Sequence, residues 1–120
     1  MPYLRLETNV PQEKIPKDFP ATLCGVLAKS LGKPINYCCA SVTGGVNLSW
    51  GGTDAPAAQA TLMSIGALGV DQNKKHSKAL YQTITQALGI SADRMYISFV
   101  DAPTSAVGYN GTTFHDIFGG

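Results

Sequence analysis

The sequence is poor in charge, and the little it has nearly cancels: nine basic side chains stand against eight acidic ones, 14% of the chain in all. No run of Lys or Arg gathers a cationic patch, which excludes an electrostatic footprint for nucleic acid as its organising feature. Long apolar runs are missing as well. Glycines and polar residues interrupt every stretch before the roughly 20 residues that a membrane-spanning helix needs, so no membrane insertion is expected. No basic segment followed by an apolar one opens the chain, so no secretory signal peptide is expected and the cytoplasm is the expected compartment. Cysteine is scarce and odd in number, at Cys24, Cys38 and Cys39, without a framework spacing or a Cys-x-x-Cys pair. The three are expected as reduced, buried, small apolar residues, with Cys38 and Cys39 pointing to opposite sides of a strand. His76 and His115 have no matching carboxylate or thiol spacing, so no metal site is expected.

What is present fits one domain over residues 1–120, long enough for a modest core. Tyr3 to Thr8 alternates, Leu4 and Leu6 on one side and Tyr3, Arg5 and Glu7 on the other, as a half-buried strand does. Asp18 then stands at a helix N-cap with Pro20 in the first turn. Phe19, Leu23, Val26, Leu27, Ser30 and Leu31 share one helical face, and Gly32 is placed to end it. A strand is expected from about Tyr37 to Val42, and Gly44-Gly45 as a hairpin turn into Val46 to Trp50. The second half repeats the plan. Ala57 to Ile65 reads as a strand broken by Gly66 and Gly69. Asp71 or Asn73 caps a helix with His76, Leu80, Ile84, Ala87 and Leu88 on its apolar face, and Gly89 ends it. Met95 to Val100 alternates again, and a short strand over Ala106 to Tyr109 leads into an Asn110-Gly111 turn.

Leu31-Gly32 and Leu88-Gly89 lie 57 residues apart, and the same shift carries Tyr3-Leu4-Arg5-Leu6 onto Ala60-Thr61-Leu62-Met63 inside the later strand. The order of elements is therefore an internal duplication, with halves at about 1–56 and 57–114. Its simplest packing is an α+β, two-layer α/β sandwich. Two β-α-β units form one four-stranded mixed sheet with two antiparallel helices on one face, plus short edge strands. Ala58, Ala60 and Leu62 alternate with Met63 and Ile65, so the strands read as apolar on both faces, and the uncovered face calls for a partner subunit.

Pro2 follows the initiator Met and is small enough for Met1 to be removed. The terminus left behind is a secondary amine on a rigid ring. A free α-amine titrates near pH 8, and burial or a neighbouring cation lowers that value, leaving a usable general base at neutral pH. Met-Pro starts are common and most serve no catalysis, so this reading needs the rest of the chain.

The Pro2 start, Thr8-Asn9-Val10-Pro11, Gly32-Lys33-Pro34, Ser64-Ile65-Gly66, Asp93-Arg94-Met95-Tyr96-Ile97 and Val107 to Phe114 together resemble the macrophage migration inhibitory factor family of the tautomerase superfamily. The resemblance spans Met1 to Phe114 and is closer to that branch than to D-dopachrome tautomerase. It implies a homotrimer with active sites between subunits and Pro2 as the catalytic base. Lys33 then lowers the Pro2 pKa and attracts a substrate carboxylate, besides being a cation suited to a helix C-terminus. Ser64 and Ile65 line the pocket by their backbone. Tyr96 arrives from the neighbouring subunit, Val107, Tyr109 and Phe114 form an apolar lining, and Tyr3 and Tyr37 lie near the rim.

The resemblance has departures. Ser98 stands where well-known members carry a longer asparagine. Ala57 and Ala60 replace the Cys-x-x-Cys of some members, which removes support for thiol–disulfide chemistry. Gln12 and Gly45 replace the arginine and aspartate of a proposed chemokine-receptor mimic. The tail from His115 to Gly120 has no carried-over role. The implied activity is keto–enol tautomerisation of a small aromatic 2-oxo acid or a dopachrome-like substrate, without a cofactor. The alternative is a cytokine-like ligand of a cell-surface receptor, secreted without a signal peptide, in which the enzyme activity is vestigial.

Overall fold

The computed structural model describes residues 1–119, so Gly120 at the end of the expected extension lies outside the described residues. Four strands form the main sheet: β1 (Pro2–Thr8), β2 (Cys39–Thr43), β3 (Ala58–Ser64) and β4 (Met95–Asp101), in the order β2-β1-β3-β4. Helix α1 (Phe19–Leu31) connects β1 to β2 and helix α2 (Val70–Leu88) connects β3 to β4. Each helix links two parallel strands, while β1 and β3 pair antiparallel, so the units run in opposite directions and their helices do too. The expected duplicated α+β plan is what forms. A two-stranded ribbon of β5 (Gly108–Tyr109) and β6 (Thr112–Thr113) and a single helical turn, α3 (Phe114–Ile117), complete it.

Alternation decides which side chains meet the helices. Leu4, Leu6 and Thr8 pair in register with Leu62, Ala60 and Ala58; all six are buried, and the five apolar ones share a core with Phe19, Leu23, Leu27 and Leu31 of α1 and Leu80, Ile84 and Leu88 of α2. Each fully buried leucine contributes about 1.5–3 kcal/mol by leaving water. Both helices end as expected, on Gly32 and Gly89 at φ 66 and 67, a left-handed conformation that glycine adopts without a Cβ clash.

Several local expectations fail for identifiable reasons. Tyr37 belongs to a 3-10 turn, Ile35–Tyr37, and β2 begins only at Cys39, because Pro34 and the turn bonds from Tyr37 to Pro34 and Cys38 to Ile35 precede it. Gly44-Gly45 makes no hairpin. The Gly45 and Val46 amides donate to the Val10 and Thr8 carbonyls at 2.8 and 2.9 Å, which ties this stretch to the end of β1 instead. A Cβ on Gly44 would lie 2.6 Å from Ile15 Cδ1 and 2.8 Å from the Val10 oxygen, so closeness of approach explains that glycine. Helix α2 starts from Gly69, not Asp71 or Asn73; Asn73 accepts from the Gly69 amide while Asp71 sits in the first turn. Ala87 is exposed, one step off the buried stripe. The later short strand covers only Gly108–Tyr109, since Thr104–Ala106 forms a 3-10 turn. None of the three cysteines is fully buried; all are free thiols, and Cys39 is exposed.

The open face of the sheet is also not the apolar surface expected. Arg5, Glu7, Ser41, Thr43, Gln59, Thr61, Tyr96 and Ser98 lie on it, among Tyr3, Met63 and Val100. Register is the reason: Ala58, Ala60 and Leu62 all face the helices, and Ile65 falls beyond the end of β3.

Candidate active site

Three elements converge at the start of β1. Pro2 pairs with Ser64, the last residue of β3, and both side chains are buried. Gly32 turns the chain off α1, so Lys33 follows at the helix end with its own amide bonded to the Ala28 carbonyl at 3.1 Å. The Lys33 Nζ then donates to the Ile65 carbonyl at 3.2 Å, spanning the gap between α1 and the loop after β3. Pro2, Lys33, Ser64 and Ile65, separate in sequence, thus form one cluster. Of Ile65 it is the carbonyl oxygen that Lys33 engages.

The loop carrying Ile65 is held from two sides. Its Gly66 amide donates to Asp101 Oδ1 at 3.0 Å, and the Ala102 amide donates to the Ser64 carbonyl at 2.9 Å. Buried His76 on α2 bonds the Ala67 carbonyl through Nε2 at 2.8 Å and Ser30 Oγ through Nδ1 at 2.6 Å. A carbonyl only accepts, so Nε2 carries the proton, and in the neutral ring the Ser30 hydroxyl donates to Nδ1. Ala67 is in the left-handed region at φ 61, unusual for a residue with a Cβ, and the His76 bond holds it there.

With Met1 in place the Pro2 nitrogen belongs to a peptide bond, and the terminal amine is that of Met1. That amine is held below its usual value, first by burial and then by the Lys33 ammonium, with Cys38 opposing. Burial and Lys33 each disfavour the charged form, and the Pro2 nitrogen lies one residue deeper in the same surroundings. Cys38 is a neighbour that sequence reasoning missed. It precedes Cys39, which pairs with Tyr3, and so lies alongside Pro2. Burial pushes its thiol up, as does nearby Cys24, whose Sγ lies 3.4 Å from the Cys38 carbonyl.

An aromatic wall starts four residues after Lys33. The Tyr37 ring meets Tyr109 edge-on at 5.6 Å, and Tyr109 stacks on Phe114 at 5.2 Å. Val107 is buried beneath, and its carbonyl accepts from the Phe114 amide at 3.1 Å. Tyr37 and Tyr109 are 40% and 46% exposed while Phe114 is 5% exposed, so the tyrosines are the open rings and Phe114 is their backing.

Tyr96, Ser98 and Tyr3 are not brought to this cluster within one chain. Tyr96 and Ser98 extend the cross-sheet rows of Glu7-Gln59 and Arg5-Thr61 on the open face, while Pro2, Ser64 and Asp101 form the row at the other end of β1. Tyr3 points to the open face, where the Arg5 guanidinium lies over its ring at 5.2 Å. Tyr96 is 68% exposed yet ordered by Trp50, whose ring packs 4.4 Å away. A hollow of about 570 Å³ on this face is lined by Arg5, Glu7, Thr61, Tyr96 and Ser98. Among the described residues, no three His, Cys, Asp or Glu side chains are placed to hold a metal ion, and no helix is long and apolar enough to cross a membrane.

Comparison with known proteins agrees with this geometry. A macrophage migration inhibitory factor homolog of Trichuris trichiura is 46% identical over 114 residues, covering 95% of this chain and all of that protein. The D-dopachrome decarboxylase-B of Xenopus laevis is 38% identical over 93% of this chain and 96% of its own length. The solved macrophage migration inhibitory factor of Trichinella spiralis superposes with a TM-score of 0.91 at 38% identity, over 93% of this chain and 99% of that one. Equal identity to the last two does not separate the two branches. Residues 1–115 match the family description itself, and the chain belongs to the macrophage migration inhibitory factor family.

Proposed function

We propose that this chain is a keto–enol tautomerase in which Pro2, freed by loss of Met1, is the general base. The neutral secondary amine takes a proton from the carbon beside a ketone. The C–H electron pair becomes the C=C bond, the carbonyl π pair moves to oxygen, and the protonated amine returns its proton to that oxygen. Lys33 holds the carboxylate of a small aromatic 2-oxo acid, and Tyr37, Tyr109 and Val107, backed by Phe114, receive its ring. The observation that carries this reading is the Lys33 bond to the Ile65 carbonyl beside the start of β1, where burial and Lys33 hold down the pKa of the Met1 amine. The C–H is already acidified by its carbonyl, so the step needs no cofactor.

We further infer a homotrimer. Tyr96 and Ser98 face away from Pro2 in their own chain, and a neighbouring subunit is the source from which such side chains reach the site. Three free thiols fit a reducing compartment such as the cytoplasm. A receptor-ligand role is suggested by the names of the relatives; signalling retained by a folded, inactive variant would support it.

The test pairs intact-mass measurement with enolisation of phenylpyruvate. Active protein lacks Met1, and Pro2→Gly lowers turnover by about 10²–10⁴-fold while the sedimenting mass stays that of a trimer. Full activity in protein that retains Met1, or in P2G, overturns the mechanism.

A further inference from the structure

Phe118 lies beyond the family match, which ends at residue 115, yet it does not trail into solvent. Its amide donates to the Phe114 carbonyl at 2.9 Å, and the Gly119 amide donates to the Asp116 carbonyl at 3.2 Å. Asp116 ties the turn down, its amide donating to Thr113 Oγ1 at 3.4 Å and its carboxylate accepting from Thr112 Oγ1 at 3.1 Å. The Phe118 ring is thereby set 5.3 Å from Phe114, tilted 35°, and it remains 64% exposed. In the single chain, its own backbone bonds thus hold a large apolar ring open.

Phe114 now packs against two rings, stacked with Tyr109 and tilted against Phe118, spaced 5.2 and 5.3 Å. The central ring is buried and the outer two are exposed, so Tyr109 and Phe118 are the two rings that contribute open surface to the row. We infer that Phe118 is a specificity-determining residue that lengthens the aromatic wall and favours 2-oxo acids with a fused bicyclic side chain, such as an indole, over those with a single phenyl ring. This rests on the tautomerase reading of the same site, with Tyr109 as the ring that the shorter substrate uses.

The test compares indole-3-pyruvate with phenylpyruvate in the processed, full-length protein. Phe118→Leu keeps apolar packing on Phe114 but removes the ring face. It is expected to raise KM for indole-3-pyruvate about three- to tenfold, the size of one aromatic contact, with kcat unchanged and phenylpyruvate kinetics within about twofold. Phe118→Tyr restores the preference. Equal losses on both substrates, or none on either, overturn the inference, since a merely structural ring does not discriminate between them. A calorimetric titration with indole-3-propionate and hydrocinnamate, which have no ketone, separates this from the tautomerase reading. If the wild type turns over neither keto acid but prefers the indole ligand, and F118L loses that preference, the role of Phe118 stands and the enzymatic reading fails. If F118L and wild type bind the two ligands alike, the role of Phe118 fails whatever the turnover.

Discussion

Buried Ser64 donates its hydroxyl to the Met1 carbonyl at 3.2 Å. The proposed chemistry requires Met1 to leave, so processing strips this hydroxyl of its acceptor. Ser64 is paired with Pro2, whose nitrogen carries that carbonyl, so the freed hydroxyl is left beside the amine. A hydroxyl donating to the amine lone pair stabilises the neutral form and lowers the amine pKa. Ser64→Ala is therefore expected to raise the pH at which kcat/KM is half-maximal and to cut the rate at pH 7 about three- to tenfold, the worth of one hydrogen bond. A pH–rate profile superimposing on that of the wild type refutes the assignment.

Lys33 is the second-ranked cause of the lowered terminal amine, after burial. Only the neutral amine is a base, so activity is absent well below the amine pKa, rises with pH through it and levels off above. Replacing Lys33 by Ala removes the neighbouring charge and moves that rise to higher pH. The same variant loses the contact to the substrate carboxylate, so KM rises as well. A glutamine variant that shares the wild-type midpoint would show that burial alone tunes the amine.

Ser30→Ala leaves Nδ1 of buried His76 without its donor. An unsatisfied buried nitrogen costs about 1–3 kcal/mol, so urea unfolding should show that loss with an unchanged slope. The His76 bond also holds Ala67 in its left-handed conformation next to the Ile65 loop. Activity at a temperature where the variant stays folded is expected to fall with it; full stability would mean that the hydroxyl is dispensable.

Trp50 packs on the exposed ring of Tyr96 at 4.4 Å. If Tyr96 completes a neighbouring subunit's site, Trp50→Ala loosens it without touching substrate. KM is expected to rise severalfold while the trimer mass and the pH midpoint stay fixed. A displaced pH midpoint would instead place Trp50 close to the amine.

Most of the architecture was legible because it depends on periodicity and on glycine. Leu4 and Leu6, the stripe from Phe19 to Leu31, and the two helix-ending glycines each point to one structure. The errors fall where long-range backbone bonds decide. Gly44-Gly45 satisfies every local rule for a hairpin, yet the carbonyls of Val10 and Thr8 claim its donors. The open face read as apolar from Met63 and Ile65, but Ile65 lies beyond a strand that stops at Ser64, and Gln59 and Thr61 share the face with Met63. For the site, Pro2 and Lys33 were reached through resemblance and local chemistry. Cys38 was invisible as a neighbour, because only the pairing of β2 with β1 brings it alongside Pro2, and Phe118 because only the turn after Thr113 returns it to Phe114.

The two glycine-ended helices carry a consequence of their own. The residue after Gly32 is Lys33, bonded across to the loop after β3; the residue after Gly89 is Ile90, 3% exposed in the core. The scaffold therefore has two matching corners, and the chain has equipped one of them. The other could not be converted by a lysine alone. Strand β1 starts at the residue that loss of Met1, which the proposed chemistry requires, would turn into a free end, whereas β3 starts in mid-chain, where its nitrogen is an amide. On the proposed reading, the second corner is the same frame with its nitrogen locked as an amide, a twin within each molecule against which the first can be compared.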